Sequence, residues 1–371
     1  LSRINTHPSD AITDWLRLSL TRGVGPVSAF KLVRACGSVA DIWQMGPKEW
    51  QRIDGLGPKI CTTLATSSPE AAHQVLSECE RRGIHPLCPD DPAYPASLLH
   101  LPDAPLVLYS RGDTDTLNHH KKIAVVGSRR ASREGRLLAK RWCQYLSDRG
   151  VCTVSGLAYG IDRAAHEGAL AGSTPTLAVL GCGLATLSGP QRNLARAIAE
   201  KGCVLSEYPP ATTARPEHFP QRNRIISGLT QATLVVEAAI RSGALITARL
   251  AAEQGREVMA VPGSVLGENH AGCHQLIRDG AMLVESTSDI MAFMRWGIPT
   301  SDKEPEPQYI PATPVEADII LRLKSEVLHI DALAEECSLS VPDISSTLIG
   351  LELAGVIESL PGSRYTLAKH F

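Results

Sequence analysis

The chain has 371 residues, 43% of them hydrophobic and 20% charged, with a formal net charge of -2. At roughly 100 to 200 residues per domain this length predicts two or three domains with apolar material for packed cores, which excludes a small single module and a wholly disordered chain. No run approaches about 18 uninterrupted apolar residues, and residues 1–10 carry no basic-then-apolar leader, so neither a membrane span nor secretion is expected. The first residue is Leu, as expected if an initiator Met or a short leader has been lost. The ten Cys are scattered with no C-x-x-C pair, which reads as reduced thiols in a cytoplasmic protein.

Charge is unevenly spread. Residues 1–120 carry 11 Lys and Arg against 13 Asp and Glu, residues 121–295 carry 21 against 14, residues 296–312 carry 1 against 3, and residues 313–371 carry 4 against 9. A basic centre between acidic ends points to a polyanionic partner for the middle of the chain alone. Most of the central cation is arginine, whose planar fork suits bidentate phosphate contact and stacking on bases.

In chain order, residues 10–82 read as short helices broken by glycine turns. Gly23-Val24-Gly25-Pro26 and Gly55-Leu56-Gly57-Pro58 echo each other, each setting a glycine turn before a proline in the first turn of a helix. The pattern resembles a tandem helix-hairpin-helix (SAM-like) domain over 1–84, whose exposed amides can hold backbone phosphates. A helical hairpin turn with no ligand is an equal reading of so short a pattern. Residues 85–120 are Pro-rich and read as an extended connection packing on its neighbour.

From 121 to 295 short β-branched and aliphatic segments alternate with helical stretches. The expected strands are 123–126, 151–154, 177–180, 204–205, 233–236, 258–261 and 282–284. Continuous apolar strands of this length imply a parallel sheet covered on both faces, hence an α/β, Rossmann-like doubly wound domain. Residues 296–312 read as a polar, Pro-rich linker. Residues 313–371 read as three short helices and a hairpin, the order of a winged-helix-like domain.

In an open parallel sheet, ligands bind beyond the carboxyl ends of the strands. The first such loop, Gly127-Ser128-Arg129-Arg130, combines glycine, hydroxyl and two guanidiniums at a strand-to-helix turn, a phosphate cradle. Ser155-Gly156 closes the next strand with small residues. Phe219, Arg222, Asn223 and Arg224 supply an aromatic face, two guanidiniums and an amide, as single-strand recognition needs. Ser242, Gly243 and Thr247, preceded by Arg241, offer a turn whose amides cap a helix. The bland readings stand beside these: Arg222 and Arg224 as partners of Glu237 or Glu207, and Phe219 as core.

Rival chemistries find less support. A dinucleotide enzyme would carry G-x-G-x-x-G after the first strand and an acid after the second, whereas this chain has Gly-Ser-Arg-Arg and Ser155-Gly156 there. Asp162 and His166 lie four apart on a helical stretch; a helix N-cap is the favoured reading of Asp162 over a metal or acid/base pair. His270, Cys273 and His274 are metal-compatible types with no fourth ligand in view. The expectation is therefore binding rather than catalysis, with no metal and no cofactor. In the C-terminal domain the third helix, 341–354, contains Asp343 and Glu352 and no Lys or Arg. Duplex DNA would be repelled, and protein contacts are expected of that domain.

At these residues the chain resembles the DNA-processing protein A (DprA, Smf) family. The resemblance is carried by Gly127-Ser128-Arg129, Ser155 to Asp162 with Ala165-His166, Leu205 to Pro209, Phe219 to Ile226, Val235 to Ala238, Ser242 to Ala248, and Gly255 to Val258 with Pro262-Gly263. It runs through about 85 to 290. The chain departs from the family's pattern at Gly181 to Asn193, where Ala185 replaces an Asp, a Tyr is absent and the spacing before Pro190 is one residue longer. The resemblance implies a non-enzymatic dimer that binds single-stranded DNA in natural transformation, shields it, and loads the recombinase RecA onto it. Two alternatives remain open. One is a nucleoside-monophosphate phosphoribohydrolase, whose loop Pro262-Gly263-Ser264 does not complete; the other is a winged-helix transcription regulator.

Overall fold

Proline opens four of the six helices with which the chain begins: α1 (Pro8–Leu20), α2 (Pro26–Cys36), α3 (Val39–Gln44), α4 (Pro47–Trp50), α5 (Pro58–Ala65) and α6 (Glu70–Arg82). Both echoed turns behave as their sequence requires, since Gly25 and Gly57 are the N-caps of α2 and α5 and Pro26 and Pro58 take the first helical position. The structure, a computed structural model, describes residues 8–297, 311, 313–324 and 326–368. Most of the linker expected over 296–312, like residues 1–7, lies outside the described residues.

A nine-stranded sheet follows. Its strands are β1 (His85–Leu87), β2 (Leu108–Gly112), β3 (Lys122–Val126), β4 (Cys152–Ser155), β5 (Thr176–Leu180), β6 (Cys203–Ser206), β7 (Ala232–Val235), β8 (Glu257–Ala260) and β9 (Met282–Leu283). They lie in the order β1-β2-β6-β5-β4-β3-β7-β8-β9. Every residue of β3 to β7 is buried, which is why these strands read as unbroken apolar runs rather than as alternation. The helices are α7 (Arg133–Asp148), α8 (Ile161–Ala171), α9 (Gly189–Lys201), α10 (His218–Gly228), α11 (Gly243–Glu253), α12 (Ala271–Arg278) and α13 (Thr287–Phe293). The sheet is Rossmann-like: β3 pairs in parallel with β4 on one side and β7 on the other, which makes the carboxyl end of β3 the point where strand order reverses.

The Pro-rich segment does more than the expected packing. It contributes β1 and β2, which join the sheet antiparallel through β6, with Tyr109 opposite Ser206 and Arg111 opposite Val204. Prolines break it into pieces too short to show a strand period, so only β2 has strand-like composition. The helical segment is likewise not packed apart: Trp15, Leu32, Ile42 and Leu64 share one core with Tyr109 of β2, Val204 of β6 and Ile198 of α9. Residues 8–296 form one compact unit, and the change at residue 84 is one of secondary structure, not of packing. Trp296 also belongs to this unit, one residue beyond the expected boundary, because its carbonyl accepts a 2.8 Å hydrogen bond from Lys121 Nζ.

The second unit, from Gly297 onward, contains α14 (Pro314–Leu323), β10 (Leu328–His329), α15 (Ile330–Glu336), α16 (Val341–Leu353), β11 (Ile357–Leu360) and β12 (Arg364–Leu367). It is a winged helix built on Ile319, Leu333, Ile344, Leu348 and Leu351, with the expected hairpin and one further two-residue strand, β10, paired to β12. Among the described residues no helix is long and apolar enough to cross a membrane.

Candidate nucleic-acid interface

Beyond the carboxyl end of β3 the loops after β3, the start of α10 and the start of α11 enclose a cleft of about 730 Å³. Of the residues singled out by sequence, Gly127, Ser128, Arg129, Arg130, Phe219, Arg222, Asn223, Ser242, Gly243 and Thr247 line it; Ser155, Gly156 and Arg224 do not. Arg241, Asp162, Pro216 and Ile246 also line it. Pro216 carries no charge or motif that would have marked it, whereas Ile246 lies within the Ser242 to Ala248 motif and Arg241 stood directly before the expected turn.

The loop after β3 is held by Glu237, which follows β7. Glu237 is fully buried, and its carboxylate accepts from the Ser132 amide (3.0 Å) and the Ser132 hydroxyl (2.9 Å), while its carbonyl accepts from the Ser128 amide (2.7 Å). Ser132 in turn caps α7 by accepting from the Gly135 amide (2.9 Å), and the Arg130 amide donates to the Ser128 hydroxyl (3.1 Å). Of the expected cradle of glycine, hydroxyl and two guanidiniums, the Ser128 hydroxyl and amide are engaged within the loop and with Glu237. The N-terminus of α7, where a Rossmann dinucleotide rests its pyrophosphate, is filled by the chain's own carboxylate. What the loop offers a ligand is the exposed side chains of Arg129 and Arg130. The loop also rests on α8: Gly160 has φ +81, and a Cβ there would strike the Ser128 carbonyl, so only glycine permits this approach.

Phe219 is half-buried across the end of β5, in contact with where a Gly181 Cβ would be, and the Arg129 guanidinium lies 5.0 Å from its ring centroid. That is cation–π distance, and it puts an aromatic ring and an arginine side by side on the cleft wall. Tyr208 stacks on His218 with centroids 4.0 Å apart and donates its hydroxyl to Gln221 (2.9 Å), which fixes the start of α10.

The two arginines of α10 have different surroundings from those of the β3 loop. Arg222 is 4% exposed; its Nη1 donates to the carbonyls of Gly156 (2.7 Å) and Val179, and its Nε to Asn223 Oδ1 (3.2 Å). A side chain on Gly156 would collide with this guanidinium. Burial holds the Arg222 pKa below its ordinary value, with Asp162 acting in the opposite sense. Arg224 is committed to Glu207 (2.5 Å) and Asp103 (3.0 Å) and faces away from the cleft. Expected as phosphate ligands, Arg222 and Arg224 are corrected to fastenings of α10 on the sheet. Ser155 is corrected as well, since it is fully buried with its hydroxyl donating to the Val125 carbonyl (2.6 Å). Gly156 lies beneath Arg222, and Thr247 and Asn223 are almost entirely buried in the cleft floor.

Asp162 does not cap its helix. Gly160 holds that position, and the Asp162 carboxylate accepts instead from the Gly156 amide (3.1 Å), tying the end of β4 to α8. Burial raises its pKa, and the Arg222 guanidinium opposes the shift. His166 bonds Thr176 through Nδ1 (2.9 Å), and full burial pushes its pKa down to about 3. The neutral ring thus belongs to the core and forms no metal pair with Asp162. Among the described residues no group of three or more His, Cys, Asp or Glu comes together as a metal site. Pro262, Gly263 and Ser264 do not line the cleft.

The doubly wound sheet, with arginines and Phe219 on the wall of its strand-reversal cleft and the Glu237 carboxylate at the head of α7, defines a Rossmann-like protein without the dinucleotide fingerprint. Comparison with known proteins gives this class a family. A model described as "DNA recombination-mediator protein A" matches residues 85–295, and one described as "DprA winged helix domain" matches residues 303–363. The chain belongs to this DprA/Smf family of DNA-processing proteins. It is 40% identical over 300 residues to Protein Smf of Escherichia coli (strain K12), covering 78% of this chain and 79% of that one. It is 46% identical over 204 residues to DNA processing protein DprA of Streptococcus pneumoniae (strain ATCC BAA-255 / R6), covering 54% and 71%. The X-ray structure of DNA processing protein A from Streptococcus pneumoniae superposes with a TM-score of 0.65 at 35% identity, covering 75% of this chain and 95% of that one. The structure describing the single-stranded DNA binding mode of DNA processing protein A from Helicobacter pylori gives a TM-score of 0.52 at 26% identity, covering 57% and 95%.

Proposed function

We propose that this protein binds single-stranded DNA in the cleft beyond β3, as a non-enzymatic dimer that protects incoming DNA during natural transformation and passes it to RecA. The observation that carries the reading is the pairing of Arg129 with Phe219 on the wall of an open cleft, with Arg130 and Arg241 exposed beside them. Guanidiniums track a backbone, and an aromatic face accepts any base, so the site reads polymer rather than sequence. Gly127, Ser128, Ser242 and Gly243 act in this reading as small neighbours that let a strand approach. Arg222, Asn223 and Thr247 set the floor. Single-stranded DNA binding by the Helicobacter pylori relative supports the choice of ligand. The acidic winged helix makes protein contacts, within the dimer or with another partner.

The decisive experiment compares the mobility of single-stranded and duplex DNA of one sequence at two salt concentrations. Single strand is expected to bind more tightly, with a salt-dependent affinity that Arg129→Ala reduces. Equal affinity for duplex, or release of free base from a nucleotide, would refute the reading.

A further inference from the structure

A second cleft, sharing no residue with the first, opens beside α9. It holds about 460 Å³ and is walled by Leu184, Leu187 and Val204. Four arginines converge on it from three elements: Arg82 at the end of α6, Arg111 on β2, and Arg192 and Arg196 on α9. Spacing by four puts Arg192, Arg196 and Glu200 on one face of α9, and pairing of Arg111 with Val204 sets the strand arginine beside the apolar wall.

The charges here are poorly balanced. Glu200 is the only carboxylate among the described residues lining the cleft. Arg82 pairs with Glu78 at 3.0 Å, Arg111 Nη2 donates to the Arg82 carbonyl (2.6 Å), and Arg192 Nε donates to the Leu187 carbonyl (2.8 Å). These contacts orient the guanidiniums, and those of Arg111 and Arg192 neutralise nothing. Burial lowers the pKa of Arg111, and its neighbours Arg82 and Arg196 lower it further. Like charges held together destabilise a fold, and an anion seated among them reverses the sign. The cavity far exceeds the needs of a bare phosphate and lies within the range of small-molecule sites, with an apolar wall that suits the face of a base.

We propose that this cleft is a nucleotide-binding site, in which Arg111 and Arg196 hold the phosphate and Leu184 and Leu187 receive the base. The chemistry is shared by a free nucleotide and by one nucleotide unit of a DNA strand, and the two sources separate experimentally. Arg196 is exposed on α9, so its substitution does not threaten folding. The full-length protein is titrated calorimetrically with deoxyadenosine monophosphate and with inorganic phosphate. In parallel, labelled single strands of about 6 and about 40 nucleotides, on either side of the span of one binding module, are followed by anisotropy. Parent, Arg196→Ala, Arg196→Lys and Arg129→Ala are compared.

For a free nucleotide, the monophosphate binds more tightly than inorganic phosphate. Arg196→Ala weakens it roughly ten- to a hundredfold, Arg196→Lys restores part of the loss, and Arg129→Ala leaves it unchanged. For a strand, the monophosphate fails to bind, and Arg196→Ala weakens the longer oligonucleotide but not the shorter. Indifference of every ligand to Arg196→Ala overturns the proposal. So does a monophosphate affinity abolished by Arg129→Ala alone, which would assign the nucleotide to the first cleft. Failure of the first-cleft reading shows separately, as a 6-nucleotide strand indifferent to Arg129→Ala.

Discussion

The loop after β3 and the first turns of α10 each carry two arginines, and they use them in opposite ways. Arg129 and Arg130 are exposed at the cleft, whereas Arg222 and Arg224 are buried and bonded to carbonyls and carboxylates of the protein itself. A guanidinium has five donors and cannot shed its charge, so it serves equally to hold a phosphate or to lock a helix onto a sheet. What separates the two roles is the supply of acceptors. At α10 the ends of β4 and β5 and the side chains of Glu207 and Asp103 provide them; at the β3 loop Glu237 is already engaged by Ser132.

The largest effect that would break this comparison is at Arg222. Arg222→Ala leaves the Gly156 and Val179 carbonyls and the Asp162 carboxylate without their cationic neighbour in a dry site. A loss of about 3 to 5 kcal/mol of stability is expected in urea denaturation. Arg224→Ala should act in the same sense through Glu207. If either variant stays fully stable and loses only DNA affinity, the division into fastening and binding arginines is wrong.

A second effect comes from the core beneath α8. The folded-state pKa of His166 is depressed to about 3, so its contribution is fully present above the unfolded value of roughly 6.5 and is lost as pH falls from there towards 3. At pH 5 the loss is about 2 kcal/mol. The raised pKa values of Asp162 and Glu207 act with the opposite sign and offset part of it. His166→Gln should therefore flatten the fall in melting temperature between pH 7 and pH 5, and an unchanged profile would place the acid sensitivity elsewhere.

At the cleft itself, Phe219→Ala should weaken single-strand binding by about 1 to 3 kcal/mol, the usual worth of one stacked base. Loss of melting temperature with undiminished affinity would return Phe219 to the core. Arg129→Ala should weaken all sequences alike and reduce the log-log salt slope by roughly 0.7 for each lost phosphate contact. An unchanged slope would move Arg129 to the structural side. The smallest expected effect is at the winged helix. The exposed apolar side chains of α16, Ile349 at 57% and Leu353 at 85%, stand where a duplex reader needs cations. Removal of residues 313–371 should leave single-strand affinity within a factor of about two, since none of the lost residues would contact phosphate. A tight, salt-sensitive duplex complex of the C-terminal unit would revive the regulator reading.

The sheet was legible because its strands are buried on both faces and therefore read as short apolar runs. β1 and β2 were not, because prolines interrupt the segment that holds them and its pairing is with β6, about a hundred residues away. Ten of the candidate residues do meet in one cleft, since the topology brings successive βα loops to one edge. Their division of labour was hidden. Arg129, in the loop after β3, and Arg222, on α10, are the same residue type at the same sheet edge, and only the carbonyls of Gly156 and Val179 that receive Arg222 tell them apart. Glu237 was equally illegible as a loop support, because its partner Ser132 lies 105 residues earlier.

The carboxylate at the head of α7 has one more consequence. Glu237 is tethered, so it competes for that helix terminus at an effective concentration that no dissolved phosphate matches. If the proposed function holds, a free nucleotide would have to displace Glu237 to use that terminus, whereas a polymer could grip Arg129, Arg130 and Arg241 at several points at once, and the internal counterion would then favour long chains over single nucleotides.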